Sequence, residues 1–113
     1  MDKPLYVLHG TIRTPPMSGP TRVEVGYNLR RLQHGETLAM PLSRPLPSVG
    51  PNCHELRIGD IDIGVEWRVV YCIDEVAILV LEVFKKETRE TPERIKKACR
   101  ERLQRYLRAK EGK

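Results

Sequence analysis

The fold is decided by residues 65–84, which read VEWRVVYCIDEVAILVLEVF. From Val65 to Ile73 every second side chain is apolar, which is the pattern of a strand with one face turned to the core. Asp74-Glu75 predicts a hairpin turn. The run from Val76 to Phe84 is apolar except for Glu82, as is typical of a central strand covered on both faces. The segment therefore predicts two neighbouring antiparallel strands.

A third strand is predicted directly upstream. Between His54 and Ile58, apolar and charged side chains alternate. A turn at Gly59-Asp60 or at Gly64 would then lead into the strand that starts at Val65. Together these three strands form a meander in the C-terminal half of the chain.

The N-terminal part predicts one strand and one helix. Leu5 to Ile12 has strand character and is closed by a Pro- and Gly-rich cluster at residues 14–20. Ser18 or Thr21 can cap the helix that follows, and Gly35 can end it. The apolar stripe of this helix consists of Val25, Leu29 and Leu32.

The remaining segments predict an extended connection and a last helix. Leu38 to Asn52 contains four prolines, which lack a backbone donor, so this segment is expected to be a loop or an edge strand. Thr91-Pro92 is expected to open the last helix, with Thr91 as its N-cap. The element order predicts a single α+β domain over residues 1–113, in which helices pack on a small antiparallel sheet made of the N-terminal strand and the meander.

The positive charge is concentrated at the end of the chain. The net charge is +5, but residues 1–84 carry 8 basic and 10 acidic side chains, whereas residues 85–113 carry 12 basic and 5 acidic ones. Such a segment is either a solvated helix face or a surface that attracts phosphate backbones. Aromatic residues make up only 5% of the chain, which argues against a base-stacking platform.

The cysteines and the apolar runs limit the other possibilities. Cys53, Cys72 and Cys99 are widely spaced, which fits neither a zinc site nor a disulfide framework, so we expect them to be small buried side chains. We expect no metal and no cofactor. The longest apolar run, Val76 to Leu81, is too short to span a bilayer, and no signal-peptide pattern is seen, so a cytoplasmic protein is expected.

Three segments resemble the phage-derived branch of the RelE/HigB toxins, which belong to the RelE/ParE superfamily. Residues 26–36, GYNLRRLQHGE, look like the helix of this branch with its LQHGE ending. Residues 54–57, HELR, and 67–71, WRVVY, are similar to its pair of strands. FKKET at 84–88 and the following Thr91-Pro92 are similar to its strand end and helix start. Each motif alone is weak, but their order and spacing make the resemblance specific.

This resemblance implies both a fold and an activity. The fold would be the small RelE-like one, which agrees with the element order derived above. The activity would be endoribonuclease cleavage of messenger RNA, usually in the decoding site of the ribosome. The usual partner would be an antitoxin, commonly a helix-turn-helix protein in this branch.

The motifs also assign candidate site residues. Cleavage of this kind lets the ribose 2′-OH attack the adjacent phosphate without a metal, so its main requirement is positive charge on the phosphate oxygens. By motif position, Arg68 and Arg57 are the catalytic arginines, and Lys86 is a further catalytic candidate. Lys85, Lys86, Arg57 and Tyr71 are the candidate RNA contacts. Strand alternation places one of the two lysines on the face of Arg68, but the sequence does not say which.

The general base is the least certain residue of the site. Some members of the family place a His or an acidic residue in the C-terminal part, and this chain has no His after His54. His54 is the best candidate because the ordinary pKa of His suits proton transfer near neutrality. Its parity with Leu56 and Ile58 nevertheless favours the core face. Glu55 is the second choice.

Two other functions compete with the ribonuclease. The first is a non-catalytic ParE-like toxin that inhibits DNA gyrase by binding. The second is a general nucleic-acid-binding module that uses the basic C-terminal helix. The missing downstream base keeps the first alternative open, and the low aromatic content weakens the second.

Overall fold

The computed structural model of the protein describes residues 2–8 and 16–112. Within these residues the chain forms, in order, the elements β1 (Leu5–Val7), α1 (Gly19–Gln33), β2 (Ser43–Pro45), β3 (Cys53–Asp60), β4 (Val65–Ile73), β5 (Ile78–Lys85) and α2 (Glu93–Glu111). The predicted end of the first strand, at residues 9–12, lies outside the described residues.

The strands form one sheet in the order β1-β5-β4-β3-β2, with β4 in the middle. The predicted meander of β3, β4 and β5 is confirmed, and so is the α+β class. The sheet is mixed, however, because β1 runs parallel to β5, with Leu5 opposite Ile78. Only a hairpin forces neighbouring strands to be antiparallel, and no hairpin joins these two strands.

The Pro-rich connection contains an edge strand, which is one of the two structures predicted for it. Strand β2 pairs antiparallel with β3, so that Arg44 lies opposite Glu55 and Pro45 opposite His54. Pro45 is tolerated there because an edge strand needs hydrogen bonds on one side only.

Helix α1 begins and ends as predicted. The Ser18 side chain accepts a hydrogen bond from the Thr21 backbone N–H at 3.4 Å. The Ser18 backbone N–H in turn donates to Asp60 Oδ2 at 2.8 Å, which ties the start of the helix to the end of β3. Gly35 follows the helix with a φ of +94°, a conformation that glycine adopts without strain.

Helix α2 begins one residue later than the sequence predicts, and its N-cap is different. Pro92 occupies the cap position, and no side chain caps the helix. The predicted cap role of Thr91 is wrong, because the buried Thr91 hydroxyl donates instead to the Glu55 carboxylate on β3. Among the residues described, neither helix is long and apolar enough to cross a membrane.

The two helices cover opposite faces of the sheet. On the face covered by α1, the α1 face, the buried side chains are Leu32, Leu56, Ile58, Val69, Tyr71, Ile78 and Val80. On the other face, the α2 face, they include Val70, Leu79, Leu81, Ile95 and Leu103. All three cysteines are free and buried in this second cluster, as expected for small apolar side chains.

Candidate nucleic-acid interface

Two oppositely charged side chains are buried in the middle of the sheet, on the α2 face. Glu55 on β3 is 0% exposed and Arg68 on β4 is 1% exposed. Arg68 Nη1 donates a hydrogen bond to Glu55 Oε1 at 2.8 Å. A buried charge is tolerated only when it is paired, so each of these residues depends on the other.

The buried pair is continued by charged side chains on both sides. Arg68 Nε donates to Glu66 Oε2 at 2.6 Å, and Arg57 Nε lies 3.8 Å from the same oxygen. At the other end, Arg44 Nε lies 3.4 Å from Glu55 Oε1. We call these five side chains, which cross β2, β3 and β4 with alternating sign, the ionic row. Its two end members, Arg44 and Arg57, reach the surface with exposures of 34% and 29%.

Glu66 is the partly exposed carboxylate of the ionic row. Partial burial would raise its pKa, but the hydrogen bond and charge of Arg68, together with the charges of Lys86 and Arg57, outweigh burial and hold the pKa below its ordinary value. Glu66 is therefore ionised at neutral pH and fixes the positions of the cations around it.

The register of the sheet separates the two lysines at the end of β5. Lys85 lies opposite Trp67, whose side chain belongs to the α1 face. Phe84 lies opposite Arg68, and the Lys86 backbone N–H donates to the Glu66 carbonyl at 2.8 Å, so the pairing continues for one residue. Lys86 is thus the lysine on the face of Arg68, and its charge acts on Glu66.

A cleft of about 950 Å³ opens at the Arg44 end of the ionic row. Three cationic side chains line it from three parts of the chain: Arg44 on β2, Arg89 in the β5–α2 connection and Lys96 on α2. The carboxylates of Glu90 and Glu93 line it as well. We refer to this space, with these five lining residues, as the cationic cleft.

His54 and Tyr71 lie on the opposite side of the sheet. The two residues are cross-strand partners, and their rings stack with 5.3 Å between centroids. Tyr71 is 1% exposed, and its hydroxyl lies 2.6 Å from Ser43 Oγ in the interior. Burial lowers the pKa of His54. The structure therefore brings Arg57, Arg68 and Lys86 together and leaves both aromatic candidates outside this group.

The depth of Arg68 also changes its expected role. Both of its bonded groups are carboxylates of the ionic row, and the side chain does not reach the surface of the described residues. Arg57 and Lys86 are the sequence-predicted cations at the surface of the same face. The placement supports a positioning role for Arg68 and does not support direct contact of Tyr71 or Arg68 with RNA.

Residues 16–104 match the model of the family described as phage-derived protein Gp49-like (DUF891). The chain belongs to the Gp49-like family. This family is associated with toxin-like proteins. No curated protein and no solved structure matches the chain. The match with the Gp49-like family includes the whole ionic row, Lys86 and the cationic cleft.

The sequence analysis does not identify several residues of this candidate site. Arg44 lies in the Pro-rich connection, where only the register with Glu55 reveals its place. Arg89 and Lys96 belong to the basic segment that the charge distribution indicates, but no motif distinguishes them from their neighbours. Strand alternation places Glu66 on the same face as Arg68, but its pairing with two arginines cannot be derived from that pattern.

Proposed function

We propose that this Gp49-like protein is the toxin of a type II toxin–antitoxin pair and an endoribonuclease that cleaves messenger RNA at the ribosome. One observation carries the proposal: Arg57 and Lys86 lie at the surface of the α2 face around Glu66, with Arg68 fixed behind them. The family supports a toxin role, and the cations can stabilise the negative charge that develops on the phosphate.

The ionic row suits the electrostatic requirement of phosphate cleavage. Negative charge grows on the phosphate oxygens in the transition state, and donors that are already in position stabilise it without reorganisation. Glu66 and Glu55 hold the guanidinium of Arg68, and Glu66 also holds that of Arg57. Arg57 presents a planar fork to the phosphate, while Lys86 presents a mobile point charge.

The reaction is an internal transfer within the RNA. The ribose 2′-oxygen forms a bond to the adjacent phosphorus, and the bond from phosphorus to the 5′-oxygen of the next nucleotide breaks. The proton of the 2′-OH goes to a base, and the departing 5′-oxygen takes up a proton. The products carry a 2′,3′-cyclic phosphate and a 5′-OH. Glu66 is a partly exposed carboxylate of the ionic row, and its lowered pKa makes it a weak base. We assign it the role of base in place of His54 and the buried Glu55.

The partners follow from the same site. The ribosome presents messenger RNA in the cytoplasm, which is where we place the activity. An antitoxin, by the resemblance a helix-turn-helix protein, would neutralise the toxin by covering the surface around Arg57 and Lys86. Carboxylates on the antitoxin would complement the exposed Arg57 and Lys86.

A gyrase-binding toxin is the second candidate. The observation that favours it is the position of His54, which faces α1 and is separated from the cationic side chains by the sheet. A surface without a strong general base can bind a polyanion or a protein without cutting RNA.

One experiment distinguishes the two candidates. The protein is induced in bacteria, new RNA ends are mapped with a ligation that requires a 5′-OH, and plasmid supercoiling is followed in parallel. We expect new 5′-OH ends within codons and unchanged supercoiling. Arg57→Gln should lower cleavage roughly a hundredfold, the lower value for losing one preorganised donor. Arg94→Gln, on an exposed arginine of α2, is the control and should cleave normally. Relaxed plasmids without new RNA ends would instead identify a gyrase inhibitor.

A further inference from the structure

We infer that the cationic cleft binds a backbone phosphate of single-stranded RNA, a few nucleotides away from the phosphate that is cut. The inference deepens the proposed function and rests on it for the identity of the polymer. Arg44, Arg89 and Lys96 are the binding residues. None of them belongs to the motifs of the resemblance.

The cations of the cleft differ in how they are held. Arg44 is fixed, since its Nε lies 3.4 Å from the buried Glu55 carboxylate. The side chains of Arg89 and Lys96 form no hydrogen bond and no close ion pair with any residue in the described ranges 2–8 and 16–112. Within the described ranges, no side chain holds Arg89 or Lys96 by a hydrogen bond, although the charge of Lys96 also acts on Glu93. These two mobile cations line the cleft together with the positioned Arg44 and make a site for an anion.

The acidic side chains of the cleft do not cancel this charge. Glu93 is engaged by Arg100, whose Nη2 lies 2.5 Å from its carboxylate, so the Glu93 charge is already compensated. Glu90 is the remaining carboxylate, and its backbone carbonyl accepts a hydrogen bond from the Thr88 hydroxyl at 2.6 Å. This turn shapes the wall of the cleft, and the Glu90 charge weakens anion binding without abolishing it.

The size and place of the cleft favour a nucleotide chain over an isolated anion. Its volume of about 950 Å³ lies at the upper end of the range for small-molecule sites, so the cleft has room for more than one phosphate ion. Arg44 on β2 and Lys86 beyond the end of β5 are separated by three strand spacings across the sheet, roughly 14 Å, and by about four residues along the strands, roughly 13 Å more. A polymer with phosphates at regular intervals can contact both Arg44 and Lys86, which a single phosphate ion cannot do.

The test uses RNA that cannot be cut, so that binding is measured apart from catalysis. A single-stranded octamer with 2′-O-methyl groups throughout is titrated into the full chain, and the amide signals of residues 88–96 are followed by NMR together with the affinity at several salt concentrations. Arg89→Ala combined with Lys96→Ala should weaken binding roughly tenfold and reduce the salt slope by about 2. Glu90→Gln should strengthen binding about twofold to threefold.

The matched control removes the same charge elsewhere on α2. Lys97→Ala combined with Arg108→Ala changes two exposed cations that do not line the cleft. This variant should keep most of the affinity and should still show the shifts at residues 88–96. An equal loss in both double variants, or a cleft variant with unchanged affinity and slope, would refute the inference and indicate diffuse charge attraction.

Two further arms identify the ligand. Inorganic phosphate, titrated at constant ionic strength, should shift the same amides at much higher concentration. If phosphate shifts them and the octamer does not, the cleft is a free-anion site and the RNA assignment is wrong. If an acidic peptide of equal charge binds as tightly as the octamer, the cleft recognises protein carboxylates instead. Because the octamer is not cleaved, these results stand whether or not the chain proves to be a ribonuclease.

Discussion

Lys85 and Lys86 show how much one residue of register matters. They are neighbours of the same type and are both exposed, but only Lys86 lies on the α2 face beside Glu66. We predict that Lys86→Ala lowers RNA cleavage by roughly tenfold, equivalent to about 1.4 kcal/mol of transition-state stabilisation, and reduces the salt slope of RNA binding by about 1. Lys85→Ala is the matched control and should change neither.

The prediction for Lys86 would be contradicted if Lys85→Ala had the same effect as Lys86→Ala. Equal effects of the two substitutions in the cleavage and salt-titration assays would show that the strand end acts only through its total charge. The face assignment made from the register would then have no functional meaning.

His54 tests the residue that sequence reasoning placed first as a base. It stacks on Tyr71 on the α1 face, so we predict that His54→Ala leaves single-turnover cleavage by the folded protein unchanged. The pKa of His54 is lowered by burial, so its neutral form is favoured in the folded state. This contribution to the free energy of unfolding is complete above the unfolded pKa of about 6.5 and is lost as the pH falls through the lower folded pKa.

The measurement for His54 therefore has two parts. A single-turnover cleavage assay on messenger RNA, free or bound to the ribosome, measures catalysis. Urea unfolding between pH 7.5 and pH 5 measures stability. The wild type should lose more stability over this range than His54→Ala. A hundredfold loss of cleavage in a stable variant would restore His54 as the base.

At the scale of the elements, the sequence predicts the strands and turns that depend on a local residue pattern. It does not predict the pairings that depend on contacts with distant parts of the chain. The alternation in β4 and the apolar run in β5 are local, so the meander and its hairpin follow directly from residues 65–84. The parallel direction of β1 depends on its pairing with β5, and the position of β2 depends on its pairing with β3. The periodicity of the sequence does not indicate either pairing. The predicted cap role of Thr91 is wrong for the same reason, because its partner is Glu55 on the distant strand β3.

The ionic row gives the prediction that belongs to this scale. Arg68 joins β4 to β3 through Glu55, and removing one partner of a buried pair leaves the other charge without compensation. We predict that Arg68→Ala lowers the free energy of unfolding by roughly 3–5 kcal/mol, the range for such a loss. Chemical denaturation measures this directly, so the loss of toxicity in this variant would follow from unfolding.

A double variant separates the charge from the packing. Combining Arg68→Met with Glu55→Gln removes both buried charges and keeps most of the volume, so a large part of the stability should return. If Arg68→Ala alone proves as stable as the wild type, the buried pair does not hold the strands together. Arg68 would then be available for a direct catalytic role.

At the scale of the whole molecule, α2 is attached to the sheet at both ends. Thr91, just before the helix, is bonded to Glu55 on β3. Near the other end, Tyr106 Oη donates to Asp74 Oδ2 at 3.0 Å, and Lys110 Nζ lies 3.1 Å from the same carboxylate. Asp74 lies in the β4–β5 turn, so one turn and one strand together fix the helix that forms a wall of the cationic cleft.

Asp74 makes this attachment sensitive to acid. Burial would raise its pKa, but hydrogen bonds from the Val76 N–H, Lys110 and Tyr106 outweigh burial and hold the pKa below its ordinary value. A lowered pKa means that the ionised carboxylate stabilises the folded state. This stabilisation is complete above the unfolded pKa of about 3.9 and is lost as the pH falls through the lower folded value.

We predict that Asp74→Asn lowers the free energy of unfolding by roughly 1.5–3 kcal/mol at pH 7, the range for hydrogen bonds to a charged group. Urea denaturation should show this difference shrinking as the pH falls below about 4, whereas Asp62→Asn, at an exposed position of the β3–β4 turn, should match the wild type throughout. A difference that stays constant down to pH 2 would mean that the Asp74 charge does not hold α2 in place.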